Sequence, residues 1–340
     1  MATYRGTRFL PEQFQAISAQ SRLPDEMVIC DDSSGDGTLG MAFEFALSAP
    51  FPVLVTRNPV RTGSNGAFNH ALGLARGDLI ALADQDDTWK PGKLARLEAA
   101  LDAHPDAALA FSDVELMDEA GHPAGFLGTN TWRVDPRVEE VDGTRALDFL
   151  LGRPQACGMS TLFRRSVLEV ALPLTSGGGP SQSLILPPFI HDRWISLVAG
   201  ARGGVVAVNE ALVQQRVHPQ QQTAAPTTAP PLRRLSEMTR RSLAHASTTA
   251  ARPPGVSREA LLAGAPRLED LRDRLLRLDS PALTRPAMAL VEERLELIRT
   301  RSSLPGSRRR RLRPVWHLLR TGIYRRHSRG VLSALADAIR

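Results

Sequence analysis

Leu79-Ile80-Ala81-Leu82-Ala83-Asp84-Gln85-Asp86-Asp87 is a short apolar run that ends abruptly in acid. The apolar part reads as a strand, and the carboxylates fall just past its C-terminal end. Working outward, Met27–Cys30 and Val53–Val55 are β-prone runs of the same kind, and the first leads straight into Asp31-Asp32. Between them lie stretches with helical spacing: Pro11–Gln20, Thr38–Leu47 and Ala67–Ala75. Another helix is expected after Pro91-Gly92, with Leu94, Leu97, Ala100 and Leu101 on one face. Ala108–Phe111, Met159–Phe163 and Val205–Val208 read as further strands. This alternation predicts an α/β domain with a largely parallel sheet flanked by helices. In an open α/β sheet, ligands bind beyond the carboxyl ends of the strands, which is where both acidic clusters sit.

The chain has 340 residues, 42% hydrophobic and 23% charged, the profile of a soluble globular protein of one large domain with an appendage, or of two domains. No apolar run approaches bilayer-spanning length, and no signal-like segment opens the sequence. Cys30 and Cys157 are too few and too scattered for a disulfide framework or a zinc site, so the expected compartment is the reducing cytoplasm. The net charge of +6 conceals a division. Arg308–Arg329 holds nine arginines and no acid; with Asp337 and Arg340 cancelling, residues 1–307 carry −3. Gly177–Pro188 reads as a mobile loop, and Thr223–Leu232 as a Pro/Thr/Ala-rich linker. Ser257–Arg301 has leucines at the spacing of two or three amphipathic helices. The expected organisation is therefore a catalytic domain over 1–222, a linker over 223–256 and a helical extension with a basic tail over 257–340.

Asp84 and Asp86, two positions apart beside a strand end, can converge on one hard cation while a diphosphate supplies further oxygens. A solvated acidic turn that caps the next helix is the competing reading, since Asp87 and Thr88 are good capping residues. The second cluster, Asp31-Asp32-Ser33-Ser34-Gly35-Asp36-Gly37-Thr38, allows a carboxylate to accept from a base or a ribose hydroxyl. It equally allows a turn with a helix cap, and the two readings are compatible.

Taken in order, Met1–Gly6, Asp31–Thr38, Arg57-Asn58, Gly63, Asn65, Phe68-Asn69 and Asp84–Trp89 resemble family 2 glycosyltransferases. The resemblance continues at His191-Asp192-Arg193-Trp194 and Gln214-Gln215-Arg216-Val217-His218, so it covers roughly the first 220 residues. It implies a GT-A fold and an inverting transfer of a sugar from a nucleotide diphosphate to an acceptor hydroxyl. By the same resemblance Thr3 and Tyr4 lie beside the nucleotide, Asp32 contacts the base, and Asp84 faces the ribose or phosphates. Asp86 is the principal ligand of a divalent metal (Mg2+ or Mn2+), with His218 as a late metal or diphosphate contact. Asn65 and Asn69 border the nucleotide pocket. Asp192 matches the general base that takes the acceptor's proton; the rival reading is a cap for a helix over Trp194–Ala199. His191 is expected to orient or pack.

The sequence departs from the family pattern in two places. It starts inside the region where a full first strand is usual, so either the true start lies upstream or the sheet is weakened where the nucleotide sits. Arg5 also stands where Asn is more usual.

The acidic turn with Trp89 resembles the bacterial rhamnosyltransferase-like subgroup, which suggests dTDP-rhamnose as donor and a glycan or lipid-linked glycan of a surface polysaccharide as acceptor. A nucleotidyltransferase is the second enzymatic reading, but the Tyr4–Arg8 loop has a single glycine where a triphosphate cradle needs several. A basic-tail nucleic-acid binder is the third, and the acidic body argues against it. Within 308–329, arginines interleave with Leu312, Trp316, Ile323 and Tyr324, a pattern suited to peripheral contact with an anionic membrane. Pro314 and Gly322 predict that this stretch forms two short pieces.

Overall fold

The computed structural model describes residues 1–127, 140–141, 146–147, 150, 157–174, 191–221, 265–277, 281–324 and 331–339. Strands β1 (Ala2–Thr3), β2 (Met27–Asp31) and β3 (Val53–Arg57) form a parallel sheet in the order β1-β2-β3. Every residue of β2 is buried, which its Met-Val-Ile-Cys sequence permits. Helices α1 (Leu10–Ser18), α2 (Thr38–Ser48) and α3 (Gly63–Leu74) alternate with these strands as the periodicity predicts.

Beyond them the expectation of a largely parallel sheet fails. The second sheet contains β4 (Leu79–Ala81), β5 (Thr88–Trp89), β6 (Ala107–Met117), β7 (Pro123–Leu127), β8 (Glu140–Val141), β9 (Thr161–Arg164) and β10 (Gly204–Arg216). Its order is β4-β9-β6-β10-β5, with β7 on β6 and β8 on β10. Among the described residues only β6 and β10 of this sheet run parallel; the other pairs are antiparallel. An apolar run reports burial and carries no information about strand direction. Strands β6 and β10 also extend well past their apolar cores, because ladder pairing continues through a bulge between Val208 and Val213. Conversely, Leu82 and Ala83 are buried but lie outside the ladder.

Among the described residues the two sheets share no ladder. A cavity of about 320 Å³ lies between β2 and β4, lined among others by Met1, Val28, Phe68, Ile80, Leu82 and Trp89.

Helix α4 (Lys93–Ala103) packs on β6 and β10. A short α5 (Leu168–Ala171) precedes α6 (His191–Arg202), which is buried almost throughout. Helices α7 (Ala265–Leu275) and α8 (Pro281–Ser302) add Leu268, Leu271, Val291, Leu295 and Ile298 to the same core as Ile195 and Val198 of α6. Helices α9 (Arg308–Arg320) and α10 (Val331–Ile339) close a smaller core around Leu297, Val315, Leu318 and Tyr324. There the buried Asp337 accepts from Tyr324 Oη at 2.8 Å and from Arg301 Nη2 at 3.0 Å. Pro314 does not split α9 as the sequence suggested. It removes one hydrogen bond, to the Arg310 carbonyl, and the buried flanking residues Val315 and Leu318 hold the helix. Gly322, at φ 78°, does end it.

The loop 177–188 and the linker 223–256 lie outside the described residues. No described helix is long and apolar enough to cross a membrane.

Candidate functional site

The first acidic turn is closed by its own neighbourhood. Asp31 Oδ2 accepts from the Ser34 N–H at 2.8 Å and its Oδ1 from Thr3 Oγ1 at 3.3 Å. Asp32 Oδ1 accepts from Asn58 Nδ2, Thr62 N and Thr62 Oγ1, each at 2.8 Å, and its Oδ2 from Gly63 N at 2.7 Å. It thereby anchors the start of α3. Burial pushes the Asp32 carboxyl up, but Asn58, Thr62 and Gly63 outweigh it and hold the group below the usual carboxylate range. Asp36 accepts from Thr38 Oγ1 at 2.6 Å and from Thr7 Oγ1 at 3.2 Å, and opens α2 in the same way. The turn thus holds the starts of α2 and α3 through Asp36 and Asp32, although neither N-cap residue, Gly37 or Thr62, makes a side-chain cap bond of its own.

The second acidic turn is left short of donors. Among the described residues no donor reaches the Asp84 carboxylate. Withdrawal from water, reinforced by the charges of Asp86 and Asp192, pushes it up to about 7 against the opposing pull of the N-terminal ammonium and Lys93. Asp87 is buried and is driven up by burial and by Asp86 and Asp84, although it accepts from the Arg216 N–H at 3.0 Å. Asp86 Oδ2 lies 2.9 Å from His218 Nε2, so the two ends of the proposed metal pair, 132 positions apart, do meet. The His218 ring rests on Phe9 at 4.9 Å between centroids.

Three residues without an assigned role in the sequence reading lie against this turn. Gln85 Oε1 accepts from Tyr4 N at 2.8 Å and its Nε2 donates to Tyr4 O at 3.0 Å, lacing the first loop to the acidic turn. A Cβ on Gly6 would sit 2.4 Å from Gln85 Oε1, so only glycine allows that approach. The buried Arg216 donates through Nε to the Asp86 carbonyl at 3.0 Å and through Nη1 to the Glu119 carbonyl at 3.0 Å, and it pairs with Glu12. Lys93 is buried with Nζ 3.3 Å from the Trp89 ring centroid and no hydrogen-bond partner among the described residues. Arg216 is visible in sequence as part of a motif of the resemblance and Lys93 as a charged residue at a helix start, and neither signal says what the side chain faces.

Helix α6 starts at His191, so Asp192 belongs to its first turn and does not cap a helix over Trp194–Ala199. Its carboxylate accepts from Arg193 N at 2.6 Å and from Gly158 N at 3.3 Å. A Cβ on Gly158 would come within 3.0 Å of the Asp192 Cβ, which explains the glycine. His191 stacks on Phe68 with centroids 4.0 Å apart, its Nδ1 lies 3.2 Å from Ser64 Oγ, and burial keeps the imidazole below its ordinary pKa. It packs, as expected. Asn65 Oδ1 accepts from His191 N at 2.9 Å and so holds α6 against α3. Both polar atoms of Asn69 engage the Leu174 backbone, at 2.6 and 3.4 Å, rather than the acidic residues. Tyr4 has the Arg61 guanidinium 4.1 Å from its ring centroid. Arg5 adopts φ 50°, a left-handed conformation that Asn tolerates better, which gives the departure at this position a physical cost.

Asp86 and Asp192 thus both act on the Asp84 carboxyl, His218 meets Asp86, and the Tyr4 backbone is laced to Gln85 of the same turn. Among the described residues no three carboxylate, imidazole or thiol groups converge on one point.

A family model described as glycosyl transferase family 2 matches residues 1–170. A putative glycosyltransferase, EpsE of Bacillus subtilis, is 32% identical over 121 residues, 36% of this chain and 44% of that protein. A dTDP-rhamnosyl transferase, RfbG of Shigella flexneri, is 34% identical over 98 residues, 28% of this chain and 34% of that protein. The chain spans less than half the length of these relatives. Among solved structures, S. aureus TarS 1-349 in complex with UDP superposes with TM-score 0.50 at 14% identity, covering 88% of this chain and 69% of that one. The same enzyme with UDP-GlcNAc gives 0.50 at 13%, covering 94% and 79%. The shared fold is GT-A, with helices appended at the C-terminal end.

Proposed function

The chain belongs to glycosyl transferase family 2, and from that premise we propose that it is an inverting, metal-dependent glycosyltransferase. One observation carries the reading. The turn at Asp84–Asp87 crowds three carboxylates that share few donors, whereas the turn at Asp31–Asp36 is fully hydrogen-bonded. Carboxylates crowded at a sheet edge, each disfavouring the others' ionisation, suit a cation that lets them ionise together with its phosphate ligands.

The donor set fits a hard or borderline divalent ion, Mg2+ or Mn2+: carboxylate from Asp86 and imidazole from His218, 2.9 Å apart. Since no third side chain of that kind converges among the described residues, the protein offers a partial shell that a nucleotide diphosphate and water complete. When bound, such an ion stabilises the charge that grows on the departing diphosphate. Asp84 faces the ribose or phosphate side. Thr3 and Tyr4 line the nucleotide, and Asp32 and Asn65 hold the pocket wall through α3.

Asp192 serves as general base. It takes the proton from the acceptor hydroxyl while that oxygen bonds to the anomeric carbon and the carbon–oxygen bond to the diphosphate breaks on the opposite face. The Gly158 N–H steadies one carboxylate oxygen. The relative named as a dTDP-rhamnosyl transferase makes dTDP-rhamnose the donor to test first, with a glycan or lipid-linked glycan of a surface polysaccharide as acceptor. A nucleotide-sugar reaction of this type belongs on the cytoplasmic side, where such donors are made.

The test is calorimetry of the full chain with dTDP, UDP and GDP, each with and without Mn2+, alongside transfer assays. One nucleotide should bind in a metal-dependent way, and Asp86→Ala should abolish that dependence. Asp192→Asn should keep nucleotide affinity and lose about 10²–10⁴-fold in turnover. Absence of nucleotide binding by the folded protein would refute the assignment.

A further inference from the structure

Helix α9 turns two different faces to its surroundings. Val315 and Leu318 are buried against Leu297 and Tyr324, and the Asp337–Arg301–Tyr324 cluster fixes the unit to α8. The opposite face keeps Trp316 66% exposed and Leu312, one turn earlier, 58% exposed. Arg309, Arg313 and Arg320 recur at spacings that place them on the same outward ridge, and all three are exposed. Among the described residues none of the three has an ion-pair partner, and α9 contains no acidic residue.

We propose that this face of α9 docks on a membrane surface rich in anionic lipid, Trp316 and Leu312 entering the acyl boundary while Arg309, Arg313 and Arg320 meet headgroup phosphates. The charge and the apolar ridge are both used by that partner. A helix lying in the interface needs an apolar strip bordered by cations, and tryptophan is at home at that depth. Nucleic acid would answer the arginines through its phosphates, but a duplex offers no apolar phase for Leu312. The body over residues 1–307, at −3, adds no attraction to either polyanion, so the affinity is confined to the C-terminal unit.

The face is presented by a fixed scaffold. Leu297 of α8 lies under α9, and Val291, Leu295 and Ile298 of the same helix share a core with α6, whose first turn carries Asp192. Docking would therefore set the orientation of the whole body relative to the lipid surface. This inference does not depend on the transfer reaction, and neither does its test.

The experiment is co-sedimentation of the full chain with phosphatidylcholine vesicles, with and without about one-third phosphatidylglycerol, at about 0.1 M salt. Binding is expected only to the anionic vesicles and should fall as salt rises. Replacing Arg309, Arg313 and Arg320 together by Gln should weaken it on the order of 100-fold. Trp316→Ala should weaken it roughly tenfold. All four positions are exposed, so circular dichroism should show unchanged folding. Binding that is equal on neutral vesicles, or that the triple variant leaves intact, overturns the proposal. So does tighter salt-sensitive binding to single- or double-stranded DNA than to the anionic vesicles, which would assign the face to nucleic acid.

Discussion

Two acidic turns follow two apolar strands, and their chemistry is opposite. After β2, each oxygen of Asp32 accepts at least one hydrogen bond, and the donors more than offset the cost of burial. After β4, Asp84 has no donor among the described residues and Asp87 is buried beside two other carboxylates, so both groups resist ionisation. Similar residues at equivalent strand ends thus do different work. A carboxylate saturated by donors is a structural cap, whereas crowded carboxylates with few donors store a demand for positive charge.

The comparison can be broken most sharply by activity. Asp86→Ala should reduce sugar transfer by at least about 10²-fold, while Asp36→Ala, in the first turn, should leave it within a few-fold. Equal losses in a steady-state transfer assay would mean that the turns are not functionally distinct.

Stability should respond with opposite signs. Asp32→Ala strands the donors at the start of α3 and should cost about 1–3 kcal/mol in urea denaturation. Asp84→Asn removes a charge that the fold disfavours and should raise stability in metal-free buffer at mildly alkaline pH.

The same contrast predicts a pH dependence. The folded Asp84 carboxyl titrates near 7, above its unfolded value of 3.8, so its contribution is fully present below about 4 and is lost as pH rises through 7. Metal-free stability should fall across that window, by up to about 1.4 kcal/mol per pH unit for each proton involved. Asp84→Asn should flatten the slope, and so should added Mn2+ with the cognate nucleotide. A slope unchanged in Asp84→Asn would place the disfavoured charge elsewhere.

The smallest effect belongs to the loop beside the first turn. Arg5 N donates to Ser34 Oγ at 2.9 Å from a left-handed conformation. Arg5→Asn should gain up to about 1 kcal/mol in thermal unfolding, with transfer unaffected.

Much of the first half was legible because burial and periodicity are local. Runs such as Met27–Cys30 and the helices Thr38–Ser48 and Lys93–Ala103 declare themselves within a few residues. The antiparallel placement of β9 was not legible, since Thr161–Arg164 looks the same whichever way its partners run. Nor was the length of β10, whose outer half is held by ladder pairing across Asn209 and Glu210, two residues depleted in strands. At the site, the Asp86–His218 pairing followed from motif resemblance, but the saturation of Asp32 and the use of Asn69 on the Leu174 backbone required distances. The roles of Gln85 and Arg216 were hidden for the same reason: each acts through partners more than 80 positions away in sequence.

Arg216 also sets an order of events in time. The acidic turn is complete in the growing chain at Asp87, yet the guanidinium that grips its backbone arrives about 130 residues later, and His218 with it. Contacts at such separation form late in folding, because the loop between them must close first. The α/β half can therefore fold early with its carboxylates still solvated and mobile. The Asp86–His218 contact forms only when β10 seats between β6 and β5, so a metal centre of the kind proposed above would be completed last.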